Sequence, residues 1–174
     1  PNSRWYAGTG IYRPVWLYQM PQEHIVLQSI RITTESIAPP QIRIQAETIG
    51  GGPVKAEILD GEHVIASVEA ESGGRFEERL TLTGAECWNT ENPRLYRCRL
   101  YYQEDMQEEM FGIRMLTLDE EKGFCLNGKR VILKGACVHH DNGILGACAY
   151  DFAERRKVEL IRKNGYNAIR SAHN

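Results

Sequence analysis

The chain has 174 residues, 42% of them apolar and 25% charged, with a formal net charge of −2. That is enough apolar material for a buried core, and room for one domain with part of another or for two small ones. The balanced charge offers no electrostatic grip on nucleic acid or an acidic membrane, and no apolar run reaches the ~18 residues that span a bilayer.

The first residues, "PNSRWYAGTGIYRPVWL", are rich in aromatics (Trp5, Tyr6, Tyr12, Trp16) and lack the pattern of a secretory leader. They read as the middle of a longer protein, which leaves localisation illegible. From about residue 25 to 118 the pattern is period two. "IRITTE" sets Ile30 and Ile32 against Arg31 and Thr33, and "QIRIQAE" sets Ile42, Ile44 and Ala46 against Arg43, Gln45 and Glu47. Val54, Ala56 and Ile58, then Val64, Ala66 and Val68, continue the inner face, followed by "RFEERLTL" and "RLYRCRLYYQ". Such alternation predicts half-buried antiparallel strands. Breakers stand between them at Gly50-Gly51-Gly52-Pro53, Asp60-Gly61, Gly73-Gly74 and Asn92-Pro93. Six or seven short strands so punctuated predict an immunoglobulin-like β-sandwich, with Tyr96, two residues before Cys98, as its tyrosine corner.

After Phe111 the pattern changes. "GFCLNGKRVILKG" predicts a hairpin turned by Asn127-Gly128. "VILKGACVH" is nearly continuously apolar, as a strand buried on both faces would be. Asp151 with Glu154 resembles a capping box that starts a helix. Ala153, Val158, Leu160 and Ile161 give this helix an apolar arc interrupted by Glu154 and Lys157, and Asn164-Gly165 ends it. "NAIRSAHN" is then a second short buried strand. Strand, helix, strand predicts a parallel pair. One such unit cannot close an α/β barrel, which needs about 250 residues, so the chain is expected to stop partway around.

The five cysteines (87, 98, 125, 137, 148) contain no CxxC pair and are odd in number, so buried free thiols are expected rather than a disulfide framework or structural zinc. "LKGACVHHDNGILGACAYD" (133–151) admits several chemistries: a metal site, a nucleophilic dyad, a sugar-binding edge or plain loop geometry. His139 and His140 face opposite sides of a strand, which disfavours a shared metal. Cys137 and His139 share a face, but residues two apart seldom supply both nucleophile and base. Asn142, Gly143 and Gly146 suit a loop with unusual backbone angles.

Several of these stretches resemble glycoside hydrolase family 2, the family of β-galactosidases, β-glucuronidases and β-mannosidases. "SRWYAGTGIYRPVWL" is similar to the end of its N-terminal jelly-roll sugar-binding domain, and "CWNTENPRLYRCRL" to late strands of its immunoglobulin-like domain. "FGIR", "GFCLNGKRVILKGACVHHD" and "GYNAIRSAHN" resemble the start of its catalytic TIM barrel. The resemblance implies a mainly β chain. Residues 1–20 would end the jelly roll, 21–112 would form the immunoglobulin-like antiparallel β-sandwich, and 113–174 would be a truncated first βαβ portion of the barrel.

The activity it implies is retaining hydrolysis of terminal β-glycosides, β-galactosides first and β-glucuronides next, by two glutamates ~5 Å apart. The family's acid/base follows an asparagine. No Asn-Glu dipeptide occurs here, so no catalytic residue is assigned and this piece alone is expected to be inactive. His139 and His173 match positions that contact the sugar, Asp141 matches one that contacts substrate in some members, and Arg170 matches the arginine that keeps the nucleophilic glutamate ionised and oriented. The family commonly has glutamate at His140 and asparagine at Cys137, and follows its second histidine with Tyr-Pro where this chain has Asn174. The expected partner is a carbohydrate, with no cofactor or metal. Self-association stays open, because the aromatic N-terminal piece would otherwise be exposed. The competing expectations are a non-catalytic carbohydrate-binding or adhesion module and an interaction scaffold with exposed edge strands.

Overall fold

Alternation within single strands sets one apolar face on each of two sheets, and the core forms where those faces meet. The structure is a computed structural model, and it describes residues 11, 14–139 and 142–171. The strands are β1 (His24–Ile25), β2 (Arg31–Ile37), β3 (Pro40–Ile49), β4 (Gly52–Asp60), β5 (His63–Ser72), β6 (Arg75–Thr81), β7 (Tyr96–Tyr102), β8 (Asp105–Phe111), β9 (Leu116–Asp119), β10 (Gly123–Leu126), β11 (Lys129–Arg130), β12 (Gly135–Val138) and β13 (Ala168–Ser171). A 3₁₀ turn covers Gly143–Leu145, and one helix, α1, covers Asp151–Lys163. The chain divides into two compact units, Gln19–Val131 and the residues from Ile132 onward together with the N-terminal segment.

In the first unit β2, β3 and β6 form one antiparallel sheet, with β1 also on β3, and β5–β4–β7–β8 form the other. The chain crosses between sheets after β3, β5 and β6, as an immunoglobulin-like sandwich requires. Ile42, Ile44 and Ala46 of β3 face Val54, Ala56 and Ile58 of β4 and Cys98 and Leu100 of β7 in one buried cluster. Each fully buried isoleucine there contributes on the order of 1.5–3 kcal/mol. Tyr96 is buried, and its hydroxyl accepts the Glu86 N–H at 2.7 Å, closing the tyrosine corner. The outer faces carry ion pairs, among them Lys55–Glu57, Arg99–Glu108, Arg79–Glu35 and Arg75–Glu77.

One inner-face expectation fails. The register of β4 on β5 shifts between Ile58 and Leu59, with Ile65 as the extra residue of β5, so Val64 pairs with Leu59 off the inner face and is 51% exposed. A bulge inserts one residue and reverses the facing beyond it. The cysteines also divide. All five are free, but only Cys98 and Cys125 are buried, and Cys137 is exposed.

Asn127 (φ 52°) and Gly128 (φ 76°) form the two-residue turn between β10 and β11, both in the left-handed region that a type I′ hairpin demands. Asn127 does more than turn the chain. Its backbone N–H donates to the Met115 carbonyl, its Oδ1 accepts the Met115 N–H, and its Nδ2 donates to the Trp88 carbonyl. Gly112, in "FGIR", sits where a Cβ would lie 2.9 Å from the Trp88 side chain, and the Arg114 guanidinium stacks over that indole at 4.8 Å.

In the second unit β12 and β13 pair in parallel around α1. Tyr150, rather than Asp151, is the N-cap, and no side chain caps the helix. The expected capping box therefore does not form. Asp151 is already inside the first turn, and Glu154 is engaged elsewhere. The C-terminal end closes as a Schellman motif, with Gly165 (φ 81°) donating to Arg162 and Tyr166 to Ile161. The apolar arc of α1 and the strand expected to be buried on both faces both differ from expectation: Val158, Leu160, Ile132, Leu133 and Ile169 are exposed among the described residues. In the N-terminal segment Val15, Trp16 and Leu17 are exposed, while Trp5, Tyr6 and Tyr12 lie outside the described residues. No helix among the described residues is long and apolar enough to cross a membrane.

Candidate functional site

The C-terminal ends of β12 and β13 lie side by side because two features force the strands together. Asn167 Oδ1 accepts the Lys134 N–H at 2.8 Å, and its Nδ2 donates to the Ile132 carbonyl at 3.0 Å, so this side chain clamps the approach to β12. Gly135 then leaves no side chain between its backbone and Ala168. The register sets Cys137 beside Arg170 and Val138 beside Ser171. Residues paired in a parallel ladder project to the same face. Accordingly, Arg170 Nη1 lies 3.6 Å from the Cys137 thiol.

His139 follows β12 directly and is half-buried. Its carbonyl accepts the Lys157 ammonium at 3.2 Å. Lys157 also meets both carboxylate oxygens of Glu154 at 3.1 Å. Glu154 Oε1 in turn accepts Asn142 Nδ2 at 2.7 Å, and the same Nδ2 donates to the Cys148 carbonyl at 3.1 Å. The Asn142 bond first, and Lys157 second, hold the Glu154 carboxyl below its usual range. Gly143 (φ 58°) and Gly146 (φ 59°) supply the left-handed backbone that the loop needs. Of the four residues singled out from the sequence, His139 and Arg170 stand at neighbouring strand ends, while Asp141 and His173 lie outside the described residues. Among the described residues no group of three or more His, Cys, Asp or Glu side chains could hold a metal ion.

No family model matches the chain. It is 33% identical to the β-galactosidase BoGH2A of Bacteroides ovatus, over 100% of this chain and 23% of that protein. It is 32% identical to a putative β-glucuronidase of Formosa agariphila, over 100% of this chain and 18% of that protein. A solved glycosyl hydrolase family 2 member from Bacteroides cellulosilyticus superposes with a TM-score of 0.88 at 33% identity, over 98% of this chain and 24% of that one. This chain belongs to glycoside hydrolase family 2. It spans about a fifth to a quarter of the length of these family members.

For a family 2 chain, the sequence reading missed the bracket of Asn142, Glu154 and Lys157. A signal was present, since Glu154 and Lys157 are the two charges that break the apolar arc of α1. The sequence could not say that the two meet each other, or that the ammonium reaches back to a strand end.

Proposed function

We propose that this chain is part of a retaining β-glycosidase whose substrate is a terminal β-glycoside, a β-galactoside first and a β-glucuronide next. His139, Asp141 and His173 contact sugar hydroxyls, and Arg170 holds the nucleophilic glutamate ionised and oriented. An imidazole can both donate to and accept from a hydroxyl, and a fixed guanidinium favours the charged form of a carboxylate beside it. The β12–α1–β13 segment is, on this reading, the first portion of a TIM barrel, whose chemistry sits at the C-terminal ends of its strands.

The observation that carries the proposal is the parallel pair itself. His139 follows one strand and Arg170 stands one residue from the end of the next, in a chain a third identical throughout to a β-galactosidase. The glutamates of a retaining mechanism, ~5 Å apart, belong to later strands, and the 174 residues alone do not hydrolyse glycosides. A free-standing sugar-binding sandwich has less support. Such modules stack sugars on exposed aromatics, yet every aromatic from residue 19 to 131 is buried or half-buried, and both outer faces carry ion pairs.

The test is to read the coding sequence beyond Asn174 and assay the longer product on chromogenic β-galactosides and β-glucuronides. Turnover by the longer product, lowered but still measurable on His139→Ala, is expected. A longer product with no Asn-Glu strand end and no turnover of any glycoside overturns the reading.

A further inference from the structure

The peptide before His139 is held by the β12–β13 ladder, whose last pair is Val138 with Ser171. The peptide after it is held by a side chain, because Lys157 Nζ binds the His139 carbonyl at 3.2 Å. With the peptide planes on both sides fixed, the Cα–Cβ bond of His139 has one direction. Lys157 is itself held. Both Glu154 oxygens lie 3.1 Å from its ammonium, and Asn142 ties the same carboxylate to the Cys148 carbonyl at the far end of the loop.

An ordinary exposed ion pair one helical turn apart contributes little, because water screens it and two long side chains must be ordered. This pair differs in two respects. The Lys157 side chain is only 18% exposed, and its ammonium also binds a main-chain carbonyl, that of His139 just past the end of β12. The carboxylate is held below its usual range by the Asn142 bond first and by Lys157, so Glu154 stays ionised through the neutral range.

We propose that Lys157, seated by Glu154 and Asn142, is a positioning residue that aims the His139 imidazole at the sugar. The proposal rests on the glycosidase reading above and deepens it: α1, through Lys157, sets the direction of a sugar-contacting side chain on the strand before it.

A double-mutant cycle tests it. In the longer, active product, Lys157→Met should lower kcat/KM about tenfold while the circular dichroism and Tm stay close to wild type. In the His139→Ala background the same substitution should cost less than about twofold, because the group it positions is gone. Equal losses in both backgrounds overturn the proposal, since Lys157 would then act without His139. Should Lys157→Met fail to fold, Glu154→Gln takes its place in the cycle, as it keeps an acceptor for Asn142 and removes the charge facing the ammonium. Should the wild-type product turn over no glycoside, the glycosidase reading fails on its own account. The positioning claim is then decided on the 174-residue chain, where the His139 Cε1–H resonance should move in Lys157→Met and an unmoved resonance overturns it.

Discussion

A Cβ placed on Gly135 would lie 2.7 Å from the carbonyl oxygen of Ala168 and 3.0 Å from its carbonyl carbon. The obstacle is backbone, which cannot rotate away as a flexible side chain can. Gly135→Ala must therefore part β12 from β13, at a cost of about 1–3 kcal/mol typical of overpacking. Hydrogen exchange checks this directly. The Asn167 and Ala168 amides, which donate to the Lys134 carbonyl, should exchange at least about tenfold faster in the variant. Unchanged protection would mean that the strands tolerate the methyl.

The tyrosine corner gives a second expectation. Removing the Tyr96 hydroxyl leaves the Glu86 N–H without its 2.7 Å acceptor beside a buried ring. Tyr96→Phe should lower the stability of the sandwich by about 1–3 kcal/mol, read as a lower urea midpoint with an unchanged slope. A midpoint within error of wild type would show that water replaces the bond at no cost.

The thiols should separate by rate. Burial pushes the Cys98 thiol up to about 12, whereas Cys137 is exposed. At pH 8 an aromatic disulfide reagent should label Cys137 quickly and reach Cys98 and Cys125 only after denaturation, because thiolate and access are both needed. Labelling of native Cys98 as fast as Cys137 would contradict the packing of β7.

Acid should loosen the loop after His139. Glu154 has a folded value below its unfolded one, near 4.3, so its contribution is complete above that value and disappears as pH falls through the lower folded value. Nuclear magnetic resonance of the Glu154 side chain should give a midpoint below 4.3. Over the same range the amides of Leu145, Gly146 and Cys148, which bond within the loop, should lose protection relative to their intrinsic rates. A midpoint at or above the unfolded value would contradict the Asn142–Glu154–Lys157 bracket.

Much of this was legible without coordinates because it is local. Ile42, Ile44 and Ala46, and Tyr96, Cys98, Leu100 and Tyr102, are buried at alternate positions, since a strand presents successive side chains to opposite faces. The hairpin was legible because asparagine followed by glycine tolerates two successive left-handed residues. Val64 was misassigned because a bulge depends on the partner strand, which alternation within one strand cannot report. Asp151 was misassigned because a capping residue and a first-turn residue share the same composition and differ only in one backbone angle pair.

The sequence by itself determined the sandwich, the Asn127-Gly128 turn and the strand–helix–strand order, through periodicity and the backbone preferences of single residues. Its resemblance to family 2, rather than residue pattern, marked His139 and Arg170 for a polar site. Only the tertiary structure set Arg170 beside Cys137 and brought Lys157 back to the carbonyl of His139. Those contacts join residues 33 and 18 positions apart. They depend on strand register, helix rotation and the path of the intervening loop together, none of which any short stretch of sequence encodes.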